Sequence, residues 1–289
     1  GQTVGLVLDR SSFFSQAGGQ VADVGQLVLA DGGDAAFRVT SVQTFGGYVL
    51  HIGTLEEGAG SLATGASLEC RPDASRRGEI SKSHTLTHAI NLALHQVLGD
   101  GVNQKGSLVD ESKARFDFSH TKAMTPAECQ KVEELVSVAV QAQLPVHIET
   151  VPLDKALEIN NLRAVFGERY PDPVRVVSIG PTVPELLAEP ESKAWEAYSI
   201  ELCGGTHIPS TDTLGGFALV EETAVAKGVR RVVGLSGKLA AEADAAGAAL
   251  RGRLATVEAA KPKEADAAKV DATKKELSEL KISVDGAAT

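Results

Sequence analysis

Along the first 72 positions the apolar residues come in short, β-branched runs broken by glycine. Val4–Leu8, Gln26–Ala30, Ala35–Thr44 and Tyr48–Ile52 each read as a strand, with breaks at Asp31-Gly32-Gly33 and Gly46-Gly47. Several strands at this spacing predict a small barrel or sandwich. Phe13-Phe14-Ser15-Gln16-Ala17-Gly18-Gly19-Gln20 interrupts them and reads as a tight turn with an aromatic anchor.

Near Arg71 the period changes. Ser75–Gly78 is short, polar and basic, which reads as a domain junction. From about Ser81 to Leu98 the apolar stripe Leu86, Ile90, Ala93, Val97 has helical steps, and Gly99 ends it. A second stripe, His84, His88, Asn91 and His95, has the same steps, so His84 and His88 project from one face a turn apart. Gln104–Leu108 reads as a loop or turn, and Lys113–Ser119 as a strand with Phe116 and Phe118 on one face. Thr125-Pro126-Ala127-Glu128 has the form of a capping box with proline at the first helical position, so a helix is expected from about Pro126 to Gln143. There follow an expected strand (Val146–Val151), a short helix (Leu153–Asn160), a strand (Val174–Ile179), and an acidic loop with one helical turn (Pro181–Ala194). Phe217–Glu221 and Val229–Leu235 read as two more strands. From Gly237 the composition turns to Ala, Lys and Glu. A helix with a thin apolar stripe is expected, then a break at Pro262 and a weaker helical pattern to about Ile282.

The pattern divides the chain into a β-barrel domain (1–74), a domain of mixed strands and helices (75–237) and a helical extension (238–289), an α+β fold. Composition is that of an ordinary soluble globular protein, 43% hydrophobic and 23% charged. No apolar run approaches the ~20 residues of a membrane helix, and residues 1–10 lack the features of a secretory signal. The chain opens on Gly and is read as a piece of something longer. Three scattered cysteines exclude a disulfide framework and favour a reducing compartment such as the cytoplasm, an organelle being left open. Cys70 and Cys129 read as buried small hydrophobes. The net charge is −10, carried by residues 1–237, since the extension holds nine residues of each sign. Nucleic acid therefore cannot be held by bulk charge and needs local basic clusters.

The chemistry lies in two pairs with equal spacing. His84-Thr85-Leu86-Thr87-His88 supplies two imidazoles on a helix, and Cys203-Gly204-Gly205-Thr206-His207 a thiol and an imidazole on a glycine-rich loop. One sulfur and three nitrogens suit Zn²⁺ over the oxygen-seeking Mg²⁺ or Ca²⁺. The roughly 115 residues between the pairs exclude a local zinc finger. Spacing leaves open whether such a metal is structural or chemical. The zinc-protease and zinc-deaminase patterns are both absent.

Six motifs occur in order: His84–His88, Gln104–Leu108, Arg115-Phe116-Asp117-Phe118-Ser119, Val174–Ser178, Glu201–His207 and Gly228-Val229-Arg230-Arg231. Together they resemble the editing domain of alanyl-tRNA synthetase. Phe14–Gln20 with Asp23 resembles the glycine-rich loop of that family's preceding β-barrel, so the resemblance covers about residues 4–237. It implies a small N-terminal β-barrel, an α/β-sandwich editing domain of the threonyl/alanyl-tRNA synthetase type, and C-terminal helices. It implies zinc held by His84, His88, Cys203 and His207, and hydrolysis of Ser-tRNA(Ala) and Gly-tRNA(Ala). It also implies candidate catalytic roles for Gln104, which could orient water or the seryl hydroxyl, and for Gly205 and Thr206 through backbone N–H groups. RNA contacts would fall to Arg230, Arg231, Lys105 and Arg76, with Lys227 and Arg71 also in reach. Nothing in the chain resembles the ATP-dependent aminoacylation domain, so charging of tRNA is not expected. A freestanding editing protein acting in trans, and a non-catalytic tRNA-docking module with structural zinc, are the alternative readings.

Overall fold

Five strands, β1 (Thr3–Val7), β2 (Gly25–Leu29), β3 (Ala36–Phe45), β4 (Tyr48–Leu55) and β5 (Leu68–Pro72), form one antiparallel sheet in the order β1-β4-β3-β2-β5. Phe37, Val39 and Val42 of β3 all point inward, although 39 and 42 differ in parity. A bulge between Val39 and Ser41 shifts the pleat by one residue and makes this possible. These side chains bury Phe13, Ala22 and Leu27 in a small core, with Cys70 packed against its edge. The computed structural model describes residues 2–32, 36–56, 61–165, 168–259, 270–272 and 274–275, and among these no ladder joins β1 to β5.

The polar stretch at Ser75–Gly78 is the first turn of a 25-residue helix, α1 (Ala74–Leu98), which begins directly after β5. Asp73 Oδ1 caps it by accepting from Arg76 N at 2.9 Å. The two arginines that made the stretch look like a linker reach back to the first sheet. Arg76 donates to Ala22 O at 2.7 Å, and Arg77 pairs with the buried Asp23.

Beyond α1 the chain forms β6 (Gln104–Val109), β7 (Ala114–Ser119), α2 (Pro126–Gln141), β8 (Val146–Val151), α3 (Leu153–Leu157), β9 (Leu162–Arg163), β10 (Val174–Ile179), α4 (Val183–Ala188), β11 (Ser199–Leu202), β12 (Phe217–Ala226), β13 (Val229–Ser236) and α5 (Gly237–Ala259). They build two four-stranded sheets, β12-β13-β7-β6 and β8-β10-β11-β9. The expected loop at Gln104–Leu108 is the edge strand β6, bulged between Gln104 and Gly106. The acidic stretch after Pro181 holds α4, capped by Thr182 and Glu185 in a reciprocal box. The weaker helical pattern after Pro262 lies largely outside the described residues, of which 270–272 and 274–275 are helical.

α1 is the hub. Leu86, Ile90 and Leu94 pack with Phe116, Phe118 and Phe217 of the first four-stranded sheet and with Val132 and Val136 of α2. Its opposite face meets β11 of the other sheet, where Asn91 Nδ2 donates to Glu201 Oε1 at 2.9 Å. A helix covered on both sides can carry buried His, Thr and Asn only if each finds a partner, and those partners make the site. No helix among the described residues is long and apolar enough to cross a membrane.

Candidate metal centre

α1 presents His84 and His88 from consecutive turns, and the loop after β11 presents Cys203 and His207 against them. One ligand atom from each of the four lies within 4.8 Å of all the others. Cys203 Sγ is 3.3 Å from His84 Nε2 and 3.4 Å from His207 Nε2. A tetrahedron with bonds of about 2.0 Å to nitrogen and 2.3 Å to sulfur has N···S edges of about 3.5 Å, so the donor set has the right size.

Each imidazole is held by its neighbours. Thr85 Oγ1 gives its hydrogen to Ser81 O at 2.9 Å, so it accepts from His207 Nδ1 at 3.1 Å and leaves Nε2 facing the cluster. His84 Nδ1 meets Gln20 Oε1 at 2.6 Å, which leaves its Nε2 facing inward as well. His88 Nε2 lies 3.5 Å from Glu201 Oε2, while its Nδ1 is buried with no hydrogen-bond partner. An orphaned ring nitrogen beside a thiol and two oriented imidazoles is what a metal-ligating set requires.

The loop is fixed from behind. Arg175 of β10 donates from one guanidinium nitrogen to Cys203 O at 2.9 Å and to Gly205 O at 2.5 Å. Gly205 lies so close to His84 that a Cβ there would meet the ring at 2.0 Å. Burial sets the charge states. It lowers His84 and His88 to about 3 and His207 well below its usual range, and it pushes the Cys203 thiol up to about 12. The imidazoles are thus neutral and ready to ligate, and a thiolate here needs a bound cation to balance it.

His84, His88 and Cys203 form one wall of a cavity of about 810 Å³, lined also by Thr87, Asn91, His95, Gln104, Lys105, Arg163, Tyr170, Gly204 and Gly205. Gln104 thus shares the cavity with three of the four candidate ligands, His84, His88 and Cys203, its Nε2 donating to Ser107 Oγ at 3.3 Å. Thr206 lies behind that wall: its N–H donates to Gln20 Oε1 at 2.9 Å, and its hydroxyl accepts from Ser81 Oγ at 2.8 Å. The Gly205 N–H donates to Cys203 Sγ at 3.4 Å. Lys105 is exposed at the cavity rim. Three other candidate cations are engaged within the chain. Arg230 makes a two-bond pair with Glu222, Arg231 a two-bond pair with Asp117, and Arg76 pairs with Glu111 at 3.1 Å. His95 is half-buried on the cavity wall. Four groups that hold the cluster were not singled out from the sequence: Gln20, Thr85, Arg175 and Glu201. All four lay inside the motifs, Gln20 in Phe14–Gln20, Thr85 in His84–His88, Arg175 in Val174–Ser178 and Glu201 in Glu201–His207, but no spacing marked them out.

Residues 174–233 match the family model described as the threonyl and alanyl tRNA synthetase second additional domain, and residues 1–76 match that of class II (A) tRNA synthetases. The mitochondrial alanine–tRNA ligase of Saccharomyces cerevisiae is 46% identical over 243 residues, covering 84% of this chain and 24% of the relative. The cytoplasmic enzyme of Dictyostelium discoideum is likewise 46% identical over 84% of the chain and 26% of its own length. The cytoplasmic enzyme of Drosophila melanogaster is 44% identical over 84% of the chain and 25% of its own length. The chain therefore spans about a quarter of the length of these curated relatives.

Proposed function

Because the chain belongs to the alanine–tRNA ligase family, as a segment carrying its second additional domain, we propose that it hydrolyses mischarged tRNA(Ala) bearing serine or glycine. The observation that carries this reading is the His84, His88, Cys203 and His207 cluster, three of whose members, His84, His88 and Cys203, line a cavity of about 810 Å³. That volume is in the range of small-ligand sites, and its lining offers His88, Asn91, Gln104 and Cys203 as polar groups.

The need for such a site is physical. Serine adds one hydroxyl to alanine and glycine lacks one methyl, and a small pocket separates such differences by about 1–3 kcal/mol at most. A second site can reject alanine by offering polar partners that only serine satisfies, or by size.

The reaction breaks the ester bond between the amino acid and the terminal ribose. A water oxygen attacks the carbonyl carbon, the ribose oxygen leaves and takes up a proton, and free amino acid and tRNA result. Zn²⁺, which His84, His88, Cys203 and His207 would hold, would supply Lewis acidity and positive charge. The chain supplies the rest. Gln104, on the edge strand facing the same cavity, orients the water or the seryl hydroxyl through its amide. Gly204 and Gly205 line the wall with bare backbone, so the ester approaches without a side chain in the way. Thr206 anchors that backbone from behind. Lys105 at the rim meets the phosphate of the acceptor end. Arg230, Arg231 and Arg76 would reach RNA only by sharing or exchanging their carboxylate partners.

The test is deacylation of Ser-tRNA(Ala) by the zinc-loaded protein and by Gln104→Ala. Hydrolysis by the parent and a loss on the order of 100-fold in the variant are expected, with zinc content unchanged. Absence of hydrolysis by the loaded parent contradicts the reading.

A further inference from the structure

Gln20 belongs to the first sheet's loop, 64 positions before His84, yet it is completely buried in the metal centre. The loop gets there by pairing with the edge strand β6. Val109 N donates to Gly19 O at 2.8 Å, and Val21 N donates to Val109 O at 3.0 Å. The approach is so close that a Cβ on Gly19 would meet Ser107 Oγ at 2.1 Å and Ser107 O at 2.7 Å, and Gly19 has φ +82°. Only glycine meets both demands.

The amide of Gln20 then has one possible orientation. The Thr206 backbone N–H can only donate, so the atom 2.9 Å from it is the oxygen, Oε1. The same oxygen lies 2.6 Å from His84 Nδ1, and Gln20 Nε2 donates to Thr206 Oγ1 at 3.0 Å. An amide oxygen cannot donate, so His84 carries its hydrogen on Nδ1 and its lone pair on Nε2, the atom facing Cys203 Sγ.

We infer that Gln20 is a positioning residue of the metal centre, which fixes the tautomer and ring angle of His84 and ties the first sheet to the site. The inference rests on the reading of the four side chains as metal ligands. It makes the glycine-rich loop part of the centre: Thr85 does for His207 from α1 what Gln20 does for His84 from another sheet. Partners of this kind change metal affinity by about 10- to 100-fold. Loop docking and metal binding are coupled, each favouring the other by the same factor.

The experiment compares zinc affinity, by chelator competition, in the parent, Gln20→Leu and Gln20→Glu. Leu fills much of the volume without an acceptor; Glu keeps acceptors facing His84 Nδ1 and Thr206 N. Gln20→Leu is expected to lose about 10- to 100-fold in affinity and Gln20→Glu to recover most of it. A role in packing alone gives the opposite order, since Leu packs and Glu buries a charge. In the parent itself, imidazole ¹⁵N shifts of the zinc-loaded protein should show His84 protonated at Nδ1. Equal affinity of parent and Gln20→Leu, Glu weaker than Leu, or His84 protonated at Nε2 each overturns the inference and leaves the metal reading standing. A parent that takes up no zinc overturns both.

Discussion

A methyl group on Gly205 would sit 2.0 Å from His84 Cε1, and Arg175 pins the Gly205 carbonyl from the other side. Neither partner can yield without moving a ligand. Gly205→Ala is therefore predicted to cost about 1–3 kcal/mol of stability and to lower zinc content measurably, by thermal melting and metal analysis of the purified protein. Full zinc content with an unchanged melting midpoint would show that the loop has slack. Arg175→Met removes both donors to the loop carbonyls while keeping the aliphatic stem. Zinc affinity should fall with little change in melting of the metal-free protein, checked by chelator competition. The four candidate ligands were legible in the sequence because their spacing is itself a chemical statement, two donors one helical turn apart and two around a glycine pair. Gln20, Thr85 and Glu201 were not, because each acts through a contact that exists only once the chain has folded. His207 reaches Thr85 across 122 positions and His84 reaches Gln20 across 64.

At the level of elements, strands and helices with one clear period were predicted close to where they lie, as α2 and its capping box at Thr125 and Glu128 show. Two kinds of element escaped. β6 has a glycine and a lysine in a polar run and is bulged, so its alternation is hidden. α1 begins seven residues before the expected start at Ser81, because its first turn is held by Asp73 and by arginine contacts with the first sheet, not by apolar packing. The first sheet has its own pH signature. His51 is buried between Ser11 Oγ at 2.7 Å and Leu6 O at 3.2 Å, and burial lowers its pKa below the ordinary 6.5. The unfolded chain therefore binds that proton at a higher pH than the folded one. The contribution of His51 is full above about pH 6.5 and is lost as the pH falls below it. Denaturant midpoints measured across about pH 5 to 8 should show this acid-side loss, and His51→Gln should flatten it. An unchanged slope in the variant would assign the loss elsewhere.

On the scale of the molecule, three sheets meet around one helix, and the site lies where an element of each comes together: the Gln20 loop, β6 and the turn after β11. The net charge of −10 and the internal pairing of Arg230, Arg231 and Arg76 weaken the electrostatic pull on RNA. Binding of tRNA should then depend only shallowly on salt. Lys105→Ala should reduce the slope of log affinity against log salt by about 0.9, the value for one lost phosphate contact on a duplex. A fall in affinity with no change in slope would place Lys105 elsewhere in the interface. The claim on which the rest depends is that the cluster at His84, His88, Cys203 and His207 makes this chain a deacylase of mischarged tRNA(Ala). The most direct test is the single-turnover rate of Ser-tRNA(Ala) hydrolysis as zinc is titrated into the metal-free protein, with Cys203→Ala alongside. The rate should rise with zinc to saturation at one equivalent, and the variant should lie at least about 100-fold below the parent, as the loss of several kcal/mol of charge stabilisation requires. A rate independent of zinc, or equal in parent and variant, would contradict the account.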